Sequence, residues 1–168
     1  DSESLRLLID CVEKRFQKLD ALINNASIFP LSPVGETRVE DWRHVFDINA
    51  RAPFFLIQFA APMLRKSKGS VINISDVYGQ QPILKNRIPY VASKAALNAI
   101  TKACAYALAP EIRVNAVAPG AITFPPNYAE EQKQMIRKEI PLGQEGTPEN
   151  IADAVVYLLT EAEYVTGQ

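Results

Sequence analysis

Hydrophobic positions along the chain follow two periods, and their alternation lays out the elements. The opening SESLRLLIDCVEKRF spaces Leu5, Leu8, Ile9, Val12 and Phe16 three or four apart with charges between them, the stripe of an amphipathic helix. After Asp20 that period vanishes. ALINN is a short apolar run, as expected for a strand covered on both faces in a parallel sheet. A proline-rich loop, SIFPLSPVGE, leads to Thr37 and Glu40, whose spacing predicts a capping box ahead of a long helix through Trp42, Val45, Phe46 and Leu56. Pro53 predicts a kink in that helix, because it offers no N–H and crowds the preceding turn.

SVINIS is a second buried strand. A helix is expected from about Tyr90 to Ala109, stopped by Pro110, and IRVNAVAPG reads as a third strand ending at Pro119-Gly120. The remainder reads as helical. Asn127 with Glu130 suggests one start, and Thr147-Pro148 supplies a cap and a first-turn proline for the last helix. Strands apolar throughout, alternating with helices, predict parallel βαβ units and an α/β doubly wound sheet. Three strands are few for such a sheet. Residues 1–168 are therefore read as a single domain forming the later part of a larger unit.

Charge and composition narrow the function. Eighteen Lys and Arg nearly balance nineteen Asp and Glu, and no basic block stands out, so nucleic acid is not an expected partner. Cys11 and Cys104 lie in helical segments without metal-ligand spacing, which points to free thiols in a reducing cytoplasm and to no metal site. The apolar stretches are too short and interrupted to span a bilayer, and no signal-peptide pattern is present.

Candidate chemistry gathers where a doubly wound sheet binds ligands, beyond the carboxyl ends of its strands. The first strand ends in Asn24-Asn25-Ala26-Ser27, the second in Ser75-Asp76, the third in Pro119-Gly120-Ala121-Ile122. The helix after the second strand opens YVASK, with Tyr90 and Lys94 one turn apart on one face. A phenol near pKa 10 is a poor acid or base at neutral pH, and an ammonium close by would lower that value. By itself, a tyrosine and a lysine four apart fit an ordinary solvated helix pair.

Taken together and in order, NNAS, DINA, NISD, YVASK and VAPGAI resemble the short-chain dehydrogenase/reductase family, along essentially the whole chain. That resemblance implies a Rossmann-type fold and hydride transfer with a nicotinamide cofactor. It makes Tyr90 the catalytic acid/base and Lys94 the residue that lowers the tyrosine pKa and holds the nicotinamide ribose. It makes Asn49, in FDINARAPFF, the support of a proton-relay water, a role compatible with a kink residue beside Pro53. Asn24, Ala26 and the turn from Pro119 through Gly120 to Ile122 correspond to cofactor contacts near the nicotinamide. His44, the only histidine, is expected to face solvent. Tyr78 and Phe124 suit either the substrate mouth or ordinary loop packing.

Two departures point to one branch. The usual serine after NIS aligns with Asp76 when Ile74, Val77 and Gly79 are matched, although Ser75 is the competing candidate. The usual NNAG is here NNAS, followed by Ile28 and Phe29. Both features resemble the pteridine reductases, and the C-terminal segment is similar to bacterial members. In that branch the aspartate takes the serine slot, the residue matching Phe29 stacks the pterin against the nicotinamide, and the residue matching Ser27 touches ligand and cofactor. Ser75 remains a candidate cofactor contact.

The swap has a chemical reason. A serine hydroxyl suits the oxygen of a carbonyl, whereas reducing a ring C=N requires a proton on nitrogen, which a carboxylic acid can give. An aspartate near pKa 3.9 is ordinarily ionised, so burial or a proton shared with Tyr90 is required. Asp76 lies fourteen positions before Tyr90, one more than the family spacing, with QQPILKNRI free to absorb the difference.

The family's glycine-rich pyrophosphate turn, the strand end that separates NAD from NADP, and the last strand with its Asp-Gly-Gly-type ending are not found. The expectation is that the 168 residues are the C-terminal two-thirds of a Rossmann domain. NADPH follows from the pteridine reductase resemblance alone. The reading is thus an NADPH-dependent pterin or dihydropterin reductase, with dihydrofolate as a further substrate. An alcohol or carbonyl enzyme of the same family is the alternative, and a non-catalytic nucleotide-binding homologue the third. Alanines at 92, 95, 96, 99, 103, 105 and 107 suit close helix packing on the sheet or on another subunit, and the resemblance implies a homotetramer.

Overall fold

The computed structural model describes residues 1–124 and 128–168, so the helix start expected at Asn127 lies outside the described residues. Helix α1 (Ser2–Phe16) is capped by Asp1, whose Oδ1 accepts the Ser4 N–H at 2.8 Å, and it stops at Gln17 in the left-handed region, φ 54°. Strand β1 (Ala21–Asn24) follows, then α2 (Val39–Phe46), a π turn (Asp47–Arg51) and α3 (Ala52–Ser67). Strand β2 (Ser70–Ile74) runs into a 3₁₀ turn (Val77–Gly79) and then α4 (Ile88–Leu108). Strand β3 (Arg113–Val117), α5 (Glu130–Glu139) and α6 (Pro148–Thr160) complete the order.

The three strands form one parallel sheet in the order β1-β2-β3, with Ala21 opposite Ser70 and Ser70 opposite Arg113. This is the α/β doubly wound architecture expected. Helices α1, α3 and α4 cover one face, where Ile57, Leu64, Val71, Ile112 and Val114 form the buried core. Helix α6 lies against β2 and β3, led by Thr147, whose hydroxyl accepts the Asn150 N–H while the Asn150 side chain accepts the Thr147 N–H. No described helix is long and apolar enough to cross a membrane.

Three expectations need correction. The cap of α2 is Arg38 rather than Thr37: the Asp41 carboxylate takes the Arg38 N–H and guanidinium, while the Thr37 hydroxyl donates to the Pro33 carbonyl at 2.9 Å. The single long helix is two. Pro53 cannot donate back along the helix, and the Ala52 N–H reaches five residues back to the Asp47 carbonyl, which widens the turn before the proline. On α1, Ile9 is buried but Leu8 and Phe16 are exposed, because the helix packs chiefly on α3 and one neighbour covers only a narrow strip. After α6 the chain returns to β3 without forming a strand there. Val165–Gln168 runs beside β3, with the Gly167 N–H on the Val114 carbonyl at 2.8 Å and the Ala116 N–H on the Gln168 carbonyl at 2.6 Å.

Candidate functional site

The end of β2 separates the two candidate hydroxyl-slot residues by simple alternation, since successive side chains of an extended chain point to opposite sides. Ser75 continues the sheet, its N–H on the Val117 carbonyl at 2.8 Å, and turns its side chain inward. There its hydroxyl lies 2.5 Å from the Asn98 Oδ1, and only 3% of the residue is exposed. Asp76 is extended (φ −162°, ψ 147°) and points the other way. Its Oδ1 accepts the Tyr78 N–H at 2.8 Å and so caps the 3₁₀ turn, and its Oδ2 accepts the Tyr90 hydroxyl at 2.5 Å. The turn-forming role and the role facing Tyr90 are held by the same carboxylate. Gly79 closes the turn against α4: a Cβ there would meet the Lys94 backbone carbon at 2.9 Å.

Tyr90 and Lys94 occupy the first turns of α4, with Pro89 in the preceding position where its missing N–H costs nothing. Both are buried. The Lys94 ammonium donates to the Ile74 carbonyl at 2.8 Å and stands 5.7 Å from the Tyr90 ring centre. Burial, and then the hydrogen bond to Asp76, push the Tyr90 phenol above its ordinary range, opposed by the charge of Arg87. This reverses the direction expected from Lys94: desolvation and the neighbouring carboxylate outweigh an ammonium engaged with a backbone carbonyl. Burial pushes Lys94 itself down to about 8, partly countered by Asp76.

Asn49 sits in the π turn, 1% exposed, and its side chain is fully committed. The Oδ1 accepts the Ser27 hydroxyl (3.1 Å) and the Ile28 N–H (2.9 Å), and the Nδ2 donates to the Ile28 carbonyl (3.0 Å) and Ser93 hydroxyl (3.1 Å). Its side chain thus ties the loop after β1 to α4. Asn24 is also buried, donating at 2.8 Å to Asn73, which donates at 2.8 Å to Thr101. The Asn24 Oδ1 is buried without a partner.

Phe29 meets Tyr90 edge to face, ring centres 4.4 Å apart, and Arg87 lays its guanidinium over the Phe29 ring at 3.7 Å. One face of the expected stacking platform is therefore already covered. Tyr78 packs beside Tyr90 and Val91, and its pKa is raised chiefly by burial. Phe124 lies 6.3 Å from Tyr128 and under Arg137. That arginine binds both Glu145 oxygens and holds its carboxyl down to about 2. His44 is exposed, as expected. The residues missed at the sequence level are Asn73, Asn98, Ser93 and Arg87. Asn73 left a signal, a polar residue inside an apolar strand that must find buried partners. Arg87 left none.

A cleft of about 810 Å³ opens beyond the strand ends, lined on the chemical side by Ser27, Ser75, Asp76, Tyr90, Lys94 and Gly120, and on the other by apolar residues of α6. A Cβ on Gly120 would meet nothing within 4 Å, and Pro119 and Ile122 complete that wall. An apolar slot with an ammonium and hydroxyls at its end suits the nicotinamide riboside end of a dinucleotide. Ala26 is exposed and is not among the residues lining the cleft. Among the described residues, no three His, Cys, Asp or Glu gather as metal ligands.

Comparisons with known proteins follow the same line. A family model described as Enoyl-(Acyl carrier protein) reductase matches residues 1–168. The 3-oxoacyl-[acyl-carrier-protein] reductase FabG of Thermotoga maritima is 35% identical over 175 residues, covering 100% of this chain and 70% of that protein. The cyclopentanol dehydrogenase of Comamonas sp. is 37% identical over 166 residues, 95% of this chain and 66% of that one. The solved structure of Thermoplasma acidophilum aldohexose dehydrogenase superimposes with a TM-score of 0.93 at 30% identity, over 99% of this chain and 71% of that one. The chain thus spans about two thirds of the length of these relatives.

Proposed function

The chain belongs to the short-chain dehydrogenase/reductase family, and from that premise we propose that it is an NADPH-dependent reductase of a pterin or dihydropterin. The observation that carries this reading is the 2.5 Å hydrogen bond from the Tyr90 hydroxyl to Asp76 Oδ2, in the position where the family resemblance places a serine. NADPH, when bound, supplies the hydride that goes to ring carbon. Asn24, Ala26, Ser27, Ser75, Tyr90, Lys94, Pro119, Gly120 and Ile122 would hold it, and NADPH over NADH rests on the resemblance.

The chain's own task is the proton. The Tyr90 hydroxyl proton passes along the existing hydrogen bond through Asp76, both of whose oxygens act as acceptors, to the ring nitrogen that hydride addition makes basic, and solvent then restores the proton to Tyr90. The charge left on the phenol faces the Lys94 ammonium 5.7 Å from its ring. Ser27 and Phe29 stand beside Tyr90 to receive the ring system, and Asn49 positions the loop that carries them.

A second reading, reduction of a carbonyl or oxidation of an alcohol, is favoured by the printed activities of the relatives, which act on 3-oxoacyl groups and cyclopentanol. Retention of Tyr90 and Lys94 together argues against a non-catalytic homologue. We read the chain as one domain, the later two-thirds of the family's Rossmann unit, working in the cytoplasm as a homotetramer. A substrate panel decides: NADPH oxidation with dihydrobiopterin, dihydrofolate and several ketones. Turnover of the dihydropterin is expected. Turnover of ketones alone would promote the second reading, and of none the third.

A further inference from the structure

Arg87 stands three residues before Tyr90, and its surroundings are unusual for a surface arginine. Among the described residues it has no carboxylate within ion-pair distance. Its guanidinium instead crosses to the loop after β1, donating to the Phe29 carbonyl and lying 3.7 Å above the Phe29 ring. The backbone of the same segment is pinned to that loop as well. The Ser32 N–H donates to the Asn86 carbonyl at 2.8 Å, and Ser32, buried, pairs with Arg87 as an isolated parallel bridge. Segment 29–32 is thus gripped at both ends by residues 86 and 87. Laid end to end, the 3.7 Å and 4.4 Å ring separations keep the guanidinium carbon within about 8 Å of the Tyr90 ring centre.

We propose that Arg87 is a positioning residue for the reaction: through one hydrogen bond and one cation–π contact it clamps Phe29 against Tyr90 and fixes the wall on which a flat substrate is received. The proposal rests on Tyr90 being the proton donor's partner as described above. It also accounts for the packing of a 41% exposed phenylalanine from a proline-rich loop against the Tyr90 ring. Exposed aromatic rings gain little by themselves, whereas a guanidinium over one face and a ring edge at Tyr90 leave Phe29 few alternatives. The charge of Arg87 also opposes the upward shift of the Tyr90 pKa, so the clamp and the proton donor share one electrostatic environment with Asp76, Tyr78 and Lys94.

The test is a double-mutant cycle with Arg87→Ala, Phe29→Ala and both, reading KM and kcat separately for the panel substrate that the enzyme turns over, with the unfolding free energy of the same four proteins. Arg87→Ala is expected to raise KM about tenfold while kcat falls less than about threefold. In the Phe29→Ala background the same substitution is expected to change KM by less than about twofold, because the ring is gone and only the hydrogen bond to the backbone carbonyl of residue 29 remains. Arg87→Lys should recover most of the KM, since an ammonium can serve the same ring and carbonyl. An unchanged KM in Arg87→Ala, or an effect that persists in full without Phe29, would overturn the proposal; the latter would make Arg87 a direct substrate ligand. The unfolding cycle tests the contact without turnover, so zero coupling there overturns the clamp even if every panel substrate fails.

Discussion

Asp76 uses its two oxygens for two different purposes, and the site depends on both. One oxygen fixes the 3₁₀ turn through Tyr78, and the other receives the Tyr90 hydroxyl. Lys94, buried beneath them, makes its cost visible as a pH dependence of stability. Its folded pKa is about 8 against an ordinary value of 10.5, so between those values the unfolded chain binds more protons than the folded one. Stability must therefore rise as pH climbs from about 8 towards 10. The gain expected is about 2 kcal/mol, and Lys94→Met should abolish it. Above pH 10 the raised Tyr90 pKa acts in the opposite direction, because the unfolded phenol ionises first. Urea unfolding of both proteins at pH 7.5 and 9.5 checks this, and a wild-type curve that stays flat would count against a buried lysine ammonium.

Elements were legible to the degree that each is a matter of period or punctuation. SVINIS and IRVNAVAPG could only be buried strands, and Thr147-Pro148 marks the last helix start within one residue. The capping box at Thr37 failed because an arginine–aspartate pair one residue later caps the helix through side-chain charge, which propensity rules for small polar caps do not see. The π turn was visible only as a kink at Pro53, since a helix's wider turn has no sequence period of its own. Gly79 shows a tighter constraint. The 3₁₀ turn presses on α4 at Lys94, where even a methyl group would lie 2.9 Å from backbone. Gly79→Ala is expected to destabilise the fold by about 1–3 kcal/mol and to lower kcat, because the turn that carries Asp76 must move away from Tyr90. Denaturant melts and single-turnover rates measure the two effects; wild-type values in both would show that the turn yields freely.

At the scale of the whole molecule, three strand ends and the head of one helix bring Ser27, Asp76, Tyr90, Lys94 and Gly120 around one cleft, although they are spread over almost a hundred residues. That assembly was legible because a parallel sheet places every carboxyl end at one rim. The direction of the Tyr90 pKa and the commitment of Asn49 were not, because both depend on burial and on partners from distant segments. The central claim is that Asp76 with Tyr90 protonates the nitrogen of a reduced pterin ring. Its most direct test is NADPH-dependent reduction of dihydrobiopterin by Asp76→Ser beside the wild type. A fall in kcat/KM of at least about a hundredfold is predicted, with ketone reduction spared or gained. Undiminished dihydropterin reduction by the serine variant would contradict the account.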